Sequence, residues 1–192
     1  MKNIFLTTLL PVFILQSCGQ KFYTKKDFSF FDKNFILSKN SDLKTDGIYI
    51  LDTILTNKNG SETLPVKQHK IYQFYKTGQS NFYFTDYLKS EADYTSFLEK
   101  EIEKNSTISS RGTLFQGYYK INVNRIIIQN VNTSLKRFNY TYGFIEANKL
   151  IIVKEDVIEG NGKFEDNYFT KTHQEIYKFK QLKIRQETIP NW

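Results

Sequence analysis

Ile121-Asn122-Val123-Asn124-Arg125-Ile126-Ile127-Ile128 is echoed 24 residues later by Ile145-Glu146-Ala147-Asn148-Lys149-Leu150-Ile151-Ile152. Each copy reads as strand, tight turn, strand. The predicted turns centre on Asn124 and Asn148, because asparagine tolerates positive φ better than most residues. Two such hairpins in succession give a four-strand antiparallel meander. Duplication and repeated use of the same turn chemistry both produce such an echo.

The same texture continues on either side of the meander. Phe, Tyr, Ile, Val and Thr cluster in short runs separated by Asn and Gly, the pattern of strands and turns. Strands are predicted at 47–55, 66–76, 81–87, 115–123, 125–131, 137–146, 149–154 and 173–180, with a further candidate at 30–37. Phe138, Tyr140, Tyr142 and Phe144 alternate with Asn139 and Thr141; Tyr119, Ile121 and Val123 alternate with Lys120 and Asn122. By contrast, Ile126-Ile127-Ile128 and Leu150-Ile151-Ile152-Val153 are continuous apolar runs, which require cover on both faces.

One helix interrupts the strands. Ser90 is a suitable N-cap, and Glu91 and Asp93 put negative charge on the first turn. Tyr94, Phe97, Leu98 and Ile102 form one apolar stripe, giving a predicted helix at 91–104 that packs against the strand framework. About eight antiparallel strands with short links predict a mainly β domain, a single up-and-down barrel. A two-sheet sandwich is the alternative. Gly117-Tyr118-Tyr119 and Gly143-Phe144-Ile145 resemble the glycine-led strands of small lipocalin-like bacterial lipoproteins. Gly47-Ile48-Tyr49 is the nearest text to the lipocalin opening Gly-x-Trp, and the only Trp is Trp192.

The first residues carry a different message. Lys2 supplies a positive start, and residues 4–15 form an apolar stretch shorter than the roughly 20 residues that span a bilayer. Leu15-Gln16-Ser17-Cys18 resembles the lipobox of bacterial lipoprotein precursors, with Leu15, Ser17 and Cys18 fitting the pattern and Gln16 bulkier than usual. The resemblance implies cleavage before Cys18 and acylation there, by several chains where a single one would hold only weakly. Gly19 is not the Asp that retains many such proteins in the inner membrane. Gln20-Lys21-Phe22-Tyr23 lacks the acidic cluster that accompanies surface display. The expected location is therefore the periplasmic face of the outer membrane. The abundance of Asn, Lys, Ile, Phe and Tyr is similar to that of lipoproteins of the Bacteroidetes. The expected organisation is a signal at 1–17, a lipidated tether at 18–27 and a barrel domain at 28–192.

A mature chain of 175 residues suits one domain and buries enough surface to fold without cross-links. Cys18 is the only cysteine, so packing alone must hold the domain. The net charge of +7 is spread along the chain without a long single-sign block. It favours solubility and attraction to anionic lipid, and no nucleic-acid motif accompanies it.

Catalytic patterns are scarce. His69 and His173 each fall in a predicted strand without a motif-supplied partner. There is no Gly-x-Ser-x-Gly, and Gly160-Asn161-Gly162 lacks the rest of a phosphate loop. Asp156, Glu159, Glu165 and Asp166 fit no EF-hand spacing and read as a solvated loop. Four Asn sequons, at Asn59, Asn105, Asn132 and Asn139, and the O-glycosylation-like Asp52-Thr53-Ile54 complete the motifs. The expectation is a non-enzymatic protein with no cofactor and no metal site. It holds a small hydrophobic or amphiphilic ligand; the alternative is an envelope interaction module, as accessory subunit or enzyme inhibitor.

Overall fold

In a computed structural model of the chain, the two echoing segments are two hairpins of one sheet. The structure describes residues 23–56, 62–66, 69–85, 88, 90–108, 116–132, 137–157 and 162–182. β5 (Gln116–Asn122) turns into β6 (Arg125–Asn132), and β7 (Arg137–Glu146) into β8 (Lys149–Val157). The innermost pairs are Asn122↔Arg125 and Glu146↔Lys149, so the echo is structural. Positive φ falls on Val123 (57°) and Ala147 (50°), one residue ahead of the asparagines expected to carry it. The asparagines contribute backbone carbonyls instead. Asn124 O accepts from Ile145 N at 2.7 Å, and Asn148 O accepts from Phe179 N at 2.8 Å. Gly78 O, in an earlier turn, accepts from Tyr119 N at 2.9 Å in the same way. Each of these turns is thus bonded to the next strand along, a regular stagger of the kind that barrel closure requires.

The remaining strands are β1 (Gly47–Thr56), β2 (Glu62–Leu64), β3 (His69–Phe74), β4 (Gln79–Thr85) and β9 (His173–Gln181). β2 pairs with the end of β1 and β3 with its beginning, so β2 and β3 together occupy one barrel position. Every other neighbour follows chain order, all antiparallel, and β1 pairs with β9 to close the sheet. The result is a lipocalin-like closed barrel of eight positions with one α-helix among the described residues, and the closure excludes the sandwich. All eight predicted strands are present, with ends shifted by up to a few residues. The candidate strand at 30–37 is not one: the segment forms turns and irregular chain, Phe30 and Phe31 packing on the outer face of the barrel and Phe35 at its end rather than in the sheet. β2 was not predicted; three residues with two exposed side chains carry too little apolar signal.

The helix α1 (Glu91–Ile108) starts where expected. Ser90 and Asp93 cap each other reciprocally, Asp93 N donating to Ser90 Oγ at 3.2 Å and Ser90 N to Asp93 Oδ2 at 2.9 Å. Tyr94 and Leu98 are buried against Ile48, Ile71 and Tyr83 on the outer wall of β1, β3 and β4. The helix therefore braces the wall. The side chain of Ile102, the last of the predicted stripe, lies outside the described residues.

The continuous apolar runs are covered on both faces as anticipated. Ile126, Ile128, Leu150 and Ile152 point into the barrel with Tyr49, Leu51, Phe74 and Tyr119. Ile127, Ile151 and Val153 point outward into a second cluster with Phe28, Phe30 and Phe169. The aromatic row Phe138, Tyr140, Tyr142 and Phe144 belongs to that outer cluster, leaving Thr141, Gly143 and Ile145 for the inside. Four rings at one spacing thus hold covering segments.

Candidate functional site at the barrel mouth

The two ends of the barrel are built differently. One end carries the tight turns at 75–78, 123–124 and 147–148, together with the start of β1. There the incoming chain forms a plug. The Phe35 ring packs edge-on against Tyr119 at 5.4 Å, Leu37 N donates to Lys76 O at 3.1 Å, and Lys44 N donates to the Tyr49 hydroxyl at 2.8 Å. Leu43 is buried beneath. Above the plug the lumen is filled by its own side chains, with Tyr49, Phe74, Tyr119, Ile126, Ile128 and Tyr177 essentially without solvent contact. An eight-strand barrel is narrow enough for side chains to fill it this way.

The other end differs in character. Here the strands are joined by longer links, and the inward side chains change from apolar to charged. Lys70 on β3 shares the face of Tyr72 and Phe74, and Glu175 on β9 shares the face of Tyr177. Lys70 Nζ stands 2.6 Å from Glu175 Oε1 and 3.1 Å from Glu155 Oε2. Tyr177 donates its hydroxyl to Glu175 Oε2 at 2.6 Å. Phe84, beside Lys70 in the β3–β4 register, lies on the face of Phe82 and packs edge-on against it at 4.7 Å. It is 47% exposed, which an inward-facing ring can be only where the lumen meets solvent.

Glu155 reaches this cluster through irregularities in β8. Ile152 faces inward and Val153 outward, so strict alternation would bring Lys154 inside. Register shifts on both sides of Tyr142 insert extra residues in β8, so Lys154 lies outside over the Tyr168 ring at 5.2 Å. Glu155 then turns inward. Bulges commonly re-aim a side chain in this manner. A further bulge in β1, between Leu51 and Thr53, leaves Asp52 exposed and paired with Lys178 at 2.9 Å, and lets Ile54 oppose Glu175.

Two carboxylates thus share one ammonium inside the mouth. Burial, and then the charge of Glu175, push the Glu155 carboxyl up to about 7, against the pull of Lys70. Burial draws the Lys70 ammonium down, but Glu155 and Glu175 outweigh it and hold the group above its ordinary value. Burial, then Tyr72 and the two carboxylates, raise the Tyr177 hydroxyl well beyond its usual range, so it remains a donor. The arrangement can hold a proton near neutrality and can balance the charge of a polar head group that enters the mouth.

The residues singled out in the sequence fall elsewhere. Leu15, Ser17 and Cys18 lie outside the described residues, as do Asn59, Glu159 and the 160–161 pair. His69 Nδ1 lies 3.4 Å from the Tyr94 hydroxyl, beneath α1, and His173 is exposed at the start of β9. Asp166 is bound to Arg125 at 2.6 Å. Among the described residues, no group of three or more His, Cys, Asp or Glu side chains could hold a metal ion. No described helix is long and apolar enough to cross a membrane. Asn139 is buried in β7. The charged mouth was not anticipated, although Lys70-Ile71-Tyr72-Gln73-Phe74 and Glu175-Ile176-Tyr177-Lys178-Phe179 do place a charge on the same face as two rings.

Fold and site together define a closed eight-position barrel, plugged at one end and charged at the mouth. Comparison of the chain with protein-family models, with curated proteins and with solved structures finds no match.

Proposed function

We propose that this chain is a lipid-anchored protein of the bacterial envelope whose barrel mouth binds a small amphiphile without transforming it. The carrying observation is the mouth itself: Lys70 held between Glu155 and Glu175, beneath the half-exposed inward ring of Phe84. Rings offer an apolar wall, and the charged cluster offers partners for a polar head. Recognition by a mostly apolar site with a few placed polar groups is the common pattern for small ligands. Because the lower lumen is filled, the ligand is a short one, seated in the upper barrel. The lipobox-like Leu15-Gln16-Ser17-Cys18 supports the anchor, and Gly19, where an Asp would favour the inner membrane, supports the outer membrane.

Native mass spectrometry of a soluble form beginning after Cys18, purified gently from a periplasm, tests the binding reading. The expected result is an added mass that disappears on denaturation and identifies an amphiphile. A bare protein mass, unchanged after incubation with envelope lipid extract, overturns it.

A further inference from the structure

The segment ahead of β1 runs down the outside of the barrel from mouth to plug. Tyr23 packs edge-on against Phe138, at the mouth end of β7, with 5.2 Å between ring centres. Phe28 follows, against Phe138 and Tyr118 at 5.0 Å each. Phe30 comes next, 5.7 Å from Tyr140, its N–H donating to Gln129 Oε1 at 3.0 Å. Phe35 then reaches Tyr119 and the β3–β4 turn at the plugged end. The described chain therefore begins at the mouth end.

We infer that the mouth of the barrel is its membrane-facing end, its rim held against the lipid surface that carries the acyl chains of Cys18. The inference rests on the lipid-anchor reading given above. Whatever path residues 18–23 take, five residue steps span at most about 17 Å. The ten residues of β7, tilted by roughly 40°, separate the two ends by about 23 Å along the barrel axis. With the plugged end on the membrane, Tyr23 would stand farther from the lipid than Cys18 can reach. With the mouth on the membrane the reach is ample. Phe84, half exposed just inside the rim, then faces the lipid side of the lumen, whereas the exposed Ile36 and Val123 belong to the far end. A ligand enters such a mouth from the bilayer surface and not from bulk water.

The test uses the full chain, produced in a bacterial host and placed in phosphatidylethanolamine–phosphatidylglycerol nanodiscs containing head-group spin-labelled lipid. Single fluorophores are attached at Glu62→Cys on the rim, Val123→Cys at the plugged end and Ser96→Cys on the helix, all exposed positions. Mass analysis of the N-terminal peptide reports acylation independently. The expected result is an acylated Cys18, with Glu62→Cys quenched several-fold more than the other two. Acylation with Val123→Cys or Ser96→Cys quenched as strongly as Glu62→Cys overturns the orientation alone. An N-terminus without acyl chains overturns the anchor and the orientation together.

Discussion

Tyr177 donates its hydroxyl to one oxygen of Glu175 while the other oxygen is held by Lys70, so each oxygen of a buried carboxylate has a donor, the two coming from different strands. Burial and the neighbouring Glu175 raise the proton affinity of Glu155 against the pull of Lys70. The two acids therefore differ: Glu175 accepts the hydroxyl bond of Tyr177, and Glu155 carries the raised proton affinity.

The pH dependence of stability follows from that difference. An unfolded Glu155 loses its proton near 4.5, whereas the folded one keeps it to about 7. Between these values the folded state binds more protons, so stability falls as pH rises through that window and levels off above it. Urea unfolding at pH 5, 6, 7 and 8 measures the decline. Glu155→Gln is expected to flatten it; an undiminished slope in that variant would assign the dependence to another group.

Lys70→Met leaves two facing carboxylates with no cation between them. Removing one partner of a buried ion pair costs several kcal/mol, less where the site is partly solvated as here, so about 2–3 kcal/mol is expected at pH 8. At pH 5 protonation of Glu155 relieves the repulsion, and the loss shrinks. Equal losses at the two pH values would show that Lys70 acts through its aliphatic packing and not its charge.

Much of this architecture was legible in the chain and the rest was concealed for identifiable reasons. The hairpin echo, the doubly covered runs at 126–128 and 150–153, and the Ser90 cap all express local periodicity or local hydrogen bonding, which a sequence displays directly. The facing of the Phe138–Phe144 row was hidden because alternation separates two faces without saying which is inside. Glu155 was hidden by the β8 bulges, since counting by two from Ile152 selects Lys154. The turn strain was assigned to Asn124 and Asn148 on residue preference, but strand register placed it on Val123 and Ala147.

That strain gives a stabilising substitution. A left-handed conformation costs an L-residue roughly 1–2 kcal/mol, and Val123 at φ 57° is 93% exposed, with almost no packing to lose. Val123→Gly removes the strain at a backbone-entropy cost of about 0.5–1 kcal/mol. A net gain of about 0.5–1 kcal/mol is expected, read as a higher urea midpoint at unchanged slope. A lower midpoint would mean that the side chain restrains the turn more than the strain opposes it.

The plug is tested most directly at Gly78, where two constraints coincide. Its φ of 85° suits glycine, and an added Cβ would lie 2.9 Å from the Phe35 ring. Gly78→Ala must therefore strain the turn and push Phe35 away from Tyr119, loosening the segment that closes the barrel end. A loss of about 2–3 kcal/mol is expected from strain and overpacking together. The Leu37 amide, which donates to Lys76 O across the plug, should exchange with solvent faster by a larger factor than amides of β6 and β7. Asn at the same position tolerates the φ but not the space, so Gly78→Asn separates the causes. If it unfolds like the parent, backbone conformation is the constraint; if it matches Gly78→Ala, the contact with Phe35 is what holds the end of the barrel closed.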